Sequence, residues 1–323
     1  INGFGGPEVL QMEEVPTPVP GEGEVLVKIA SAGVNPAEWK TRQGKLAEFI
    51  EYHFPFIIGF DLAGVVEAVG PGVDRWAVGD RVFGMSEQRV GRDGTYAEYT
   101  ISVPEMLAQM PEGWSYNQAA GIPVPGTTAY GAMVDAGGLQ PGETVLINGG
   151  AGGVGGIAIQ IARAIGARVA VTCVAENVDY VTGLGADRAI DFQNEDVPTA
   201  VREWEPDGVD VVLDAVGLDT LLPRAVEVVK PGGTYVEIET LLSRASEDQI
   251  TRAAANDVRV VSNLVAVVRQ PEHLAKLAAL CDEGKVRPPA LEVMPLSEVA
   301  DAHRRVEKGL LRGKLVLDVT DGV

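Results

Sequence analysis

Asn148-Gly149-Gly150-Ala151-Gly152-Gly153-Val154-Gly155 is the stretch whose reading decides the fold. Gly150, Gly152 and Gly155 satisfy G-x-G-x-x-G, a motif that carries meaning only between a strand and a helix. Upstream, Thr144-Val145-Leu146-Ile147 is almost wholly apolar, as expected for a strand covered on both faces. Downstream, Val154, Ile157, Ala158, Ile161 and Ile165 recur at helical spacing, which predicts a helix over 153–165 stopped by Gly166. In such a unit the first glycine makes a tight turn, the second lets backbone approach a pyrophosphate, and the third lets helix and strand pack closely. The helix N-terminus then offers N–H groups and a positive dipole end to the phosphates. Gly150, Gly152, Gly153, Val154 and Gly155 are therefore the expected dinucleotide cradle. The competing reading is a glycine-rich turn in an α/β domain that has lost its ligand.

Outward from the loop the alternation continues. Strands are expected at 168–173, 189–192, 209–214, 234–238 and 259–262, with helices near 179–184, 197–204, 220–229 and 248–256 and a turn at Pro231-Gly232-Gly233. With 144–147 these make six strands joined by helical crossovers, a doubly wound parallel sheet over residues 124–262. The first third is different. Short strands at 24–30, 62–69, 80–84 and 96–100, with frequent Gly and Pro and a polar loop at 85–94, suggest a small β-barrel-like domain. The tail from 272 holds two amphipathic helices and a strand at 314–318, more than the six-strand set needs. The expected organisation is α/β, with 124–262 as the cofactor domain and 1–123 plus 263–323 folding together. The 323 residues suit two domains.

Composition narrows the partners. Asp and Glu outnumber Lys and Arg 46 to 26, a formal net charge of −20, which argues against nucleic acid and anionic membrane surfaces. No apolar run is long enough to span a bilayer. Cys173 and Cys281 permit neither a disulfide framework nor a cysteine-based zinc site, and a reducing, cytoplasmic compartment fits. The chain opens at Ile1 without Met and shows no signal peptide.

The choice of dinucleotide turns on the end of the second strand, where an acid commonly grips the ribose diol. Cys173 stands there, followed by Val174. Glu176 is either that acid or a surface charge in a first helical turn. Asn177 is either a ribose or phosphate ligand or has a plain turn or cap role. No Lys or Arg lies between Arg168 and Arg188 to meet a 2′-phosphate. Loss of the acid leans towards NADPH, with NADH possible.

With these residues in hand, the chain resembles the zinc-independent branch of the medium-chain dehydrogenase/reductase superfamily, and within it the quinone oxidoreductase and enone (alkenal) reductase group. The resemblance covers essentially the whole chain. It rests on Gly33-Val34-Asn35-Pro36, Gly59-Phe60-Asp61-Leu62-Ala63-Gly64-Val65-Val66, Gly79-Asp80-Arg81-Val82, Ala119-Ala120-Gly121-Ile122-Pro123, Asp214-Ala215-Val216-Gly217 and Gly313-Lys314-Leu315-Val316, together with the glycine loop. It implies a GroES-like catalytic domain beside a Rossmann domain, and a homodimer. It implies hydride transfer from NADPH to the C=C bond of an α,β-unsaturated carbonyl compound, or to a quinone. Zinc enzymes of the superfamily place a Cys near Asn35 and a His-Glu pair near Phe60-Asp61, and this chain has neither, so activity without a metal is expected. His53 reads as a surface or pocket-edge side chain.

By the same resemblance Asn35 and Lys40 fall at active-site positions. Asn35 would donate an amide N–H, or is a turn residue before Pro36. Lys40 would offer its ammonium to an enolate, or is a solvated surface lysine. Thr127, in the segment opening the first helix of the cofactor domain, would touch the nicotinamide ribose region or serve as a cap. Val216, Gly217 and Ile238 would sit at strand C-termini facing the cofactor. Tyr52, Phe54 and Phe56 are either flat walls for an acceptor or core. Two alternatives stand beside this reading: an enoyl-thioester reductase of fatty-acid or polyketide metabolism, and a non-catalytic dinucleotide-binding protein, crystallin-like or a sensor.

Overall fold

The apolar run beginning at Val25 enters a ten-residue strand, β1 (Val25–Val34), on which the first sheet is built. The computed structural model describes residues 1–87, 92, 94–217, 220–239, 245–262, 271–309 and 311–320. After β1 come α1 (Pro36–Arg42), β2 (Asp61–Val69), β3 (Arg81–Met85), β4 (Tyr99–Ser102), β5 (Leu107–Gln109) and α2 (Tyr116–Ala120). β1 pairs antiparallel with both β2 and β4, β2 with β3, and β3 with β5. β4 starts three residues later than the pattern at 96–100 predicts. The Thr95 and Tyr96 N–H groups are used elsewhere, donating to Gly59 and Ile58 carbonyls at 3.1 and 2.9 Å. Of the polar loop expected at 85–94, residues 88–91 and 93 lie outside the described residues.

α3 (Pro123–Tyr130) begins three residues before the expected segment and runs into a π-helical stretch, Gly131–Ala136. Pro123 and Pro125 occupy its first turn, where a missing N–H is no loss. Thr127 therefore lies inside the helix, fully buried, and is not a cap.

The parallel sheet follows: β6 (Thr144–Asn148), α4 (Gly153–Ile165), β7 (Arg168–Cys173), α5 (Val178–Leu184), β8 (Arg188–Asp191), α6 (Val197–Trp204), β9 (Val209–Asp214), α7 (Ala225–Val228), β10 (Val229–Glu237), α8 (Glu247–Ala254) and β11 (Arg259–Val261). Its order is β8-β7-β6-β9-β10-β11, with every neighbouring pair parallel. This is the doubly wound arrangement with its switch point beside β6. Leu146, Ile157, Ile161 and Val212 are wholly buried, each worth about 1.5–3 kcal/mol relative to exposure. The helix expected over 220–229 shrinks to a 3-10 turn, Leu222–Arg224, and the short α7. Pro223 supplies no N–H to a longer helix. Pro231-Gly232-Gly233 does not end a helix before a new strand. It bulges out of β10, whose register shifts between Val229 and Thr234.

The tail supplies α9 (Pro271–Asp282), β12 (Leu291–Pro295), α10 (Val299–Lys308) and β13 (Lys314–Asp318). β13 joins β1 antiparallel and β12 lies parallel to β13, so the tail completes the first sheet. β12 is an addition to the expected elements, a half-exposed edge strand with weak alternation. Two compact units result. One is Ile1–Pro125 with Leu274–Asp282 and Pro288–Val323, the other Gly126–His273 with Glu283–Arg287. The first seam falls two residues beyond the expected 123. The expected return at 263 lies outside the described residues, and 283–287 go with the second unit.

Arg42 fastens α10 to α1. It is fully buried, donates from Nε to the Gly5 carbonyl at 3.1 Å, pairs with Glu307, and donates from Nη1 to His303 Nδ1 at 3.1 Å. Because Arg only donates, His303 is neutral with its proton on Nε2. Burial chiefly, and the Arg42 charge secondarily, push its pKa down to about 3 from an ordinary 6.5. A depressed histidine is harmless above 6.5 and destabilises as pH falls towards 3. His303→Gln should therefore lose less stability than the parent on acidification from pH 6.5, the gap changing by at most about 1.4 kcal/mol per pH unit. Urea unfolding of both proteins from pH 7 to 4 measures it, and parallel pH curves would show that His303 does not carry the effect.

Candidate active site

The glycine loop forms the turn between β6 and α4, with Gly152 as the helix N-cap and Gly153 its first residue. The three motif glycines answer to different neighbours. A Cβ on Gly150 would lie 2.6 Å from the Val171 side chain, and one on Gly155 2.2 Å from the Gly149 carbonyl oxygen. These two positions are glycine because the protein packs against them. Among the described residues a Cβ on Gly152 would meet only the Gly149 oxygen, at 3.6 Å. Space is thus left open in front of a helix N-terminus whose first N–H groups, from Gly153, Val154 and Gly155, have no carbonyl within the helix. The cradle fits a pyrophosphate.

Three other expected cofactor residues gather at the same edge of the sheet. Val216 is 38% exposed, and its Cγ2 lies 2.9 Å from where a Gly149 Cβ would stand. Gly217 adopts φ +63°, a conformation that favours glycine. Ile238 follows β10 and donates its N–H to the Asp214 carbonyl at 3.0 Å. On the other side of β6, Cys173 ends β7, buried, with its thiol pushed up to about 11 by burial and then by the charges of Asp191 and Glu195. It is a neutral group, not a ribose-gripping acid. Glu176 is exposed in the 3-10 turn Ala175–Asn177. Asn177 ends that turn and precedes α5 without a side-chain cap bond, so of its plain roles the turn one stands and the cap one does not.

The first unit carries the expected catalytic pair at α1. Asn35 is its N-cap and Pro36 its first residue. Glu38, three residues on, accepts from the Asn35 backbone N–H at 2.6 Å, the returning half of a capping box. The Asn35 amide Nδ2 donates to Glu38 Oε1 at 3.0 Å and Asp61 Oδ2 at 2.8 Å, while its Oδ1 accepts from Lys314. Both amide hydrogens are thus directed at carboxylates, so the donor role expected of Asn35 is taken up inside the protein. Asp61 Oδ1 accepts from the Val124 N–H at 2.6 Å, and Lys314 Nζ stands 3.3 Å from Asp61 Oδ2. Asn35, Glu38, Asp61 and Lys314 are all buried. Burial pushes Glu38 up to about 7, against the pull of Lys314 and with the push of Asp61.

Lys40, in the last turn of α1, is 4% exposed, with its ammonium 5.4 Å from the Trp39 ring centroid. The solvated-surface alternative does not hold for it. Phe56 is core at 2% exposure. Tyr52 and the 40%-exposed Phe54 meet the Phe4 ring edge-on at 5.8 and 5.0 Å. His53 is a surface side chain. Glu38, Asp61, Lys314 and Asp214 escaped selection as site residues. Asp61, Lys314 and Asp214 do stand within the quoted motif blocks, and the Asn35-x-x-Glu38 spacing is a capping signal. Among the described residues no three His, Cys, Asp or Glu side chains gather as a metal site, and no helix is long and apolar enough to cross a membrane.

One unit holding a six-stranded doubly wound sheet with an open glycine cradle, and another built on a mainly antiparallel sheet, fit the class of nicotinamide-dependent oxidoreductases. Residues 21–112 match the alcohol dehydrogenase GroES-like domain family and residues 184–317 the zinc-binding dehydrogenase family. The chain is 34% identical to the NADPH-dependent alkenal/one oxidoreductase, chloroplastic, of Arabidopsis thaliana, over 97% of this chain and 77% of that one. It is 30% identical to the quinone oxidoreductase of Homo sapiens, over 97% and 95% of the two chains. The solved quinone oxidoreductase from Coxiella burnetii superposes with a TM-score of 0.85 at 33% identity, covering 98% of this chain and 97% of that one. The chain belongs to the zinc-independent medium-chain dehydrogenase/reductase superfamily, in its quinone oxidoreductase group.

Proposed function

We propose that the chain reduces the C=C bond of α,β-unsaturated carbonyl compounds, and quinones, with NADPH as the preferred donor and NADH as a second one, without zinc, as a cytoplasmic homodimer. The observation that carries the reading is similarity over nearly the whole chain to reductases of these two substrate classes, with the cradle at Gly152 open. Bound reduced nicotinamide supplies a hydride. The chain's own part is to hold and polarise. Gly150, Gly152, Gly153, Val154 and Gly155 take the pyrophosphate, while Thr127, Cys173, Asn177, Val216, Gly217 and Ile238 border the remainder. Lys40 would stabilise the carbonyl oxygen on which charge develops when the β-carbon of an enone accepts hydride. Water then protonates the α-carbon. Asn35 holds α1 in place through Glu38, Asp61 and Lys314.

NADPH oxidation assayed with a small enone, a quinone and an enoyl-CoA tests the substrate class. Turnover of the first two is expected. Turnover of enoyl-CoA alone would favour a thioester reductase, and none at all a non-catalytic binder. Light scattering giving a monomeric mass would count against the dimer.

The cofactor preference should be shallow. Cys173 removes the acid that would reject a 2′-phosphate, yet Asp191 and Glu195 lie near and residues 169–187 contain no Lys or Arg. The kcat/KM ratio of NADPH over NADH is expected between 1 and about 10, a difference below about 1.4 kcal/mol. A ratio under 1 or above 100 overturns it.

Lys40→Ala should slow enone reduction clearly. A well-aimed donor to a developing oxyanion is worth roughly 100–1,000-fold, and less where water screens it. Quinone reduction should suffer less, because a quinone accepts electrons more readily, and nucleotide affinity should stay near that of the parent. Unchanged rates with both acceptors in steady-state kinetics would place Lys40 outside the site.

A further inference from the structure

Asp214 ends β9, fully buried. Its Oδ1 accepts from Asn148 Nδ2 at 2.8 Å, the Val216 N–H at 3.0 Å and the Gly217 N–H at 2.9 Å. Its Oδ2 accepts from the Tyr235 hydroxyl at 2.5 Å. Among the described residues no Lys or Arg forms an ion pair with it. A carboxylate taken out of water without a cation is costly to bury, and only donated hydrogen bonds keep it in place. Apolar side chains would fill this place more cheaply if packing were the only requirement.

The bonds extend beyond the carboxylate. Asn148 Oδ1 accepts from the Thr172 hydroxyl at 2.7 Å, and the same hydroxyl oxygen accepts from the Gly149 N–H at 2.9 Å. Thr220 Oγ1 accepts from Asn148 Nδ2 at 3.3 Å and donates to the Gly217 carbonyl at 2.8 Å. One connected set therefore reaches β6 through Asn148, β7 through Thr172, β9 through Asp214 and β10 through Tyr235. Every terminus of it lies within a few residues of the cradle, Cys173, Val216-Gly217 or Ile238. By drawing the Val216 and Gly217 N–H groups inward, Asp214 sets the left-handed turn at Gly217 and leaves the Val216 side chain standing beside Gly149.

We propose that Asp214 is a positioning residue for the dinucleotide. It touches no reacting atom and, through this set, holds the exits of four strands of the cofactor sheet in the arrangement the ligand requires. The proposal rests on the dinucleotide-binding reading above.

The experiment is titration of the full chain with NADPH and with NADH, followed by isothermal calorimetry and by nicotinamide fluorescence, alongside steady-state kinetics and thermal unfolding. Asp214→Asn keeps one oxygen for the three N–H donors and presents an amide to the Tyr235 hydroxyl, which can turn to accept. It should bind within about threefold of the parent. Asp214→Leu takes the shared acceptor away from four donors and should weaken binding on the order of 30-fold or more. Tyr235→Phe removes only the phenolic hydroxyl from an apolar surround and keeps the test open if Asp214→Leu does not fold. It should weaken binding about three- to tenfold, raising the nucleotide KM while kcat at saturation stays near the parent's. Graded loss of affinity with rescue by Asn supports the proposal. Lowered melting temperatures with parental Kd in Asp214→Leu or Tyr235→Phe overturn it and make the set merely structural. A parent that binds neither nucleotide removes the reading beneath it, an outcome distinct from a binding parent with indifferent variants.

Discussion

Gly152→Val is expected to fold like the parent and to bind NADPH and NADH at least about 100-fold more weakly, a loss near 2.7 kcal/mol. The two halves of this expectation have separate causes. Among the described residues a Cβ at 152 finds only the Gly149 oxygen at 3.6 Å, an ordinary contact that gives the fold no reason to object. Outside it, the branched side chain stands in the space through which backbone N–H groups would reach the pyrophosphate. Gly155→Val is the contrast. Its Cβ would lie 2.2 Å from a backbone oxygen, and the strand and helix would have to separate. Thermal unfolding and nucleotide titration of both variants distinguish the cases: intact stability with lost binding at 152, lost stability at 155. Parental affinity in Gly152→Val would show that the pyrophosphate lies elsewhere.

Lys314→Met should destabilise the protein by about 3–5 kcal/mol at neutral pH, the usual consequence of leaving a buried charge without its partner. The ammonium lies 3.3 Å from Asp61 and donates to Asn35, in a cluster that also buries Glu38. The loss should depend on pH in a defined direction. Glu38 titrates at about 7 in the folded chain against an ordinary 4.5. A raised carboxyl favours the folded state below its unfolded value and loses that advantage as pH rises through its folded one. Removing Lys314 raises Glu38 further, so the defect should be larger at pH 8 than at pH 5.5. Urea unfolding at the two pH values measures it, with Lys314→Arg restoring part of the stability. An equal loss at both would mean that Glu38 does not respond to the lysine's charge, leaving Asp61, Asn35 and packing to account for the loss.

These two sites differ in how much of them a reading of the chain alone discloses. The glycine cradle is a local object. Its strand, turn and helix occupy 144–165, and the apolar periodicities that define them are confined to that window. The helix 153–165, the strands 168–173 and 209–214 and the helix 197–204 accordingly have the ends that the pattern predicts. Departures appear where a local signal competes with a distant partner. Tyr96 looks like strand, but its N–H goes to Ile58. Thr127 looks like a cap, but two prolines start the helix earlier. β12 has little alternation of its own and becomes a strand by lying beside β13.

The sequence by itself determined the doubly wound sheet, its glycine loop and the membership of the superfamily, because these rest on spacings within a few tens of residues and on motifs in order. Only the tertiary structure decided which polar side chains are buried together. Lys314 and Asn35 are 279 residues apart, and nothing near either one announces the other. A lysine reads the same in a sequence whether it faces water or a buried carboxylate. The free energy that separates the two cases, desolvation against paired charge, arises from long-range packing. Lys40 is a buried residue of α1, and the Asn35 amide is spent on Glu38 and Asp61, for that reason alone.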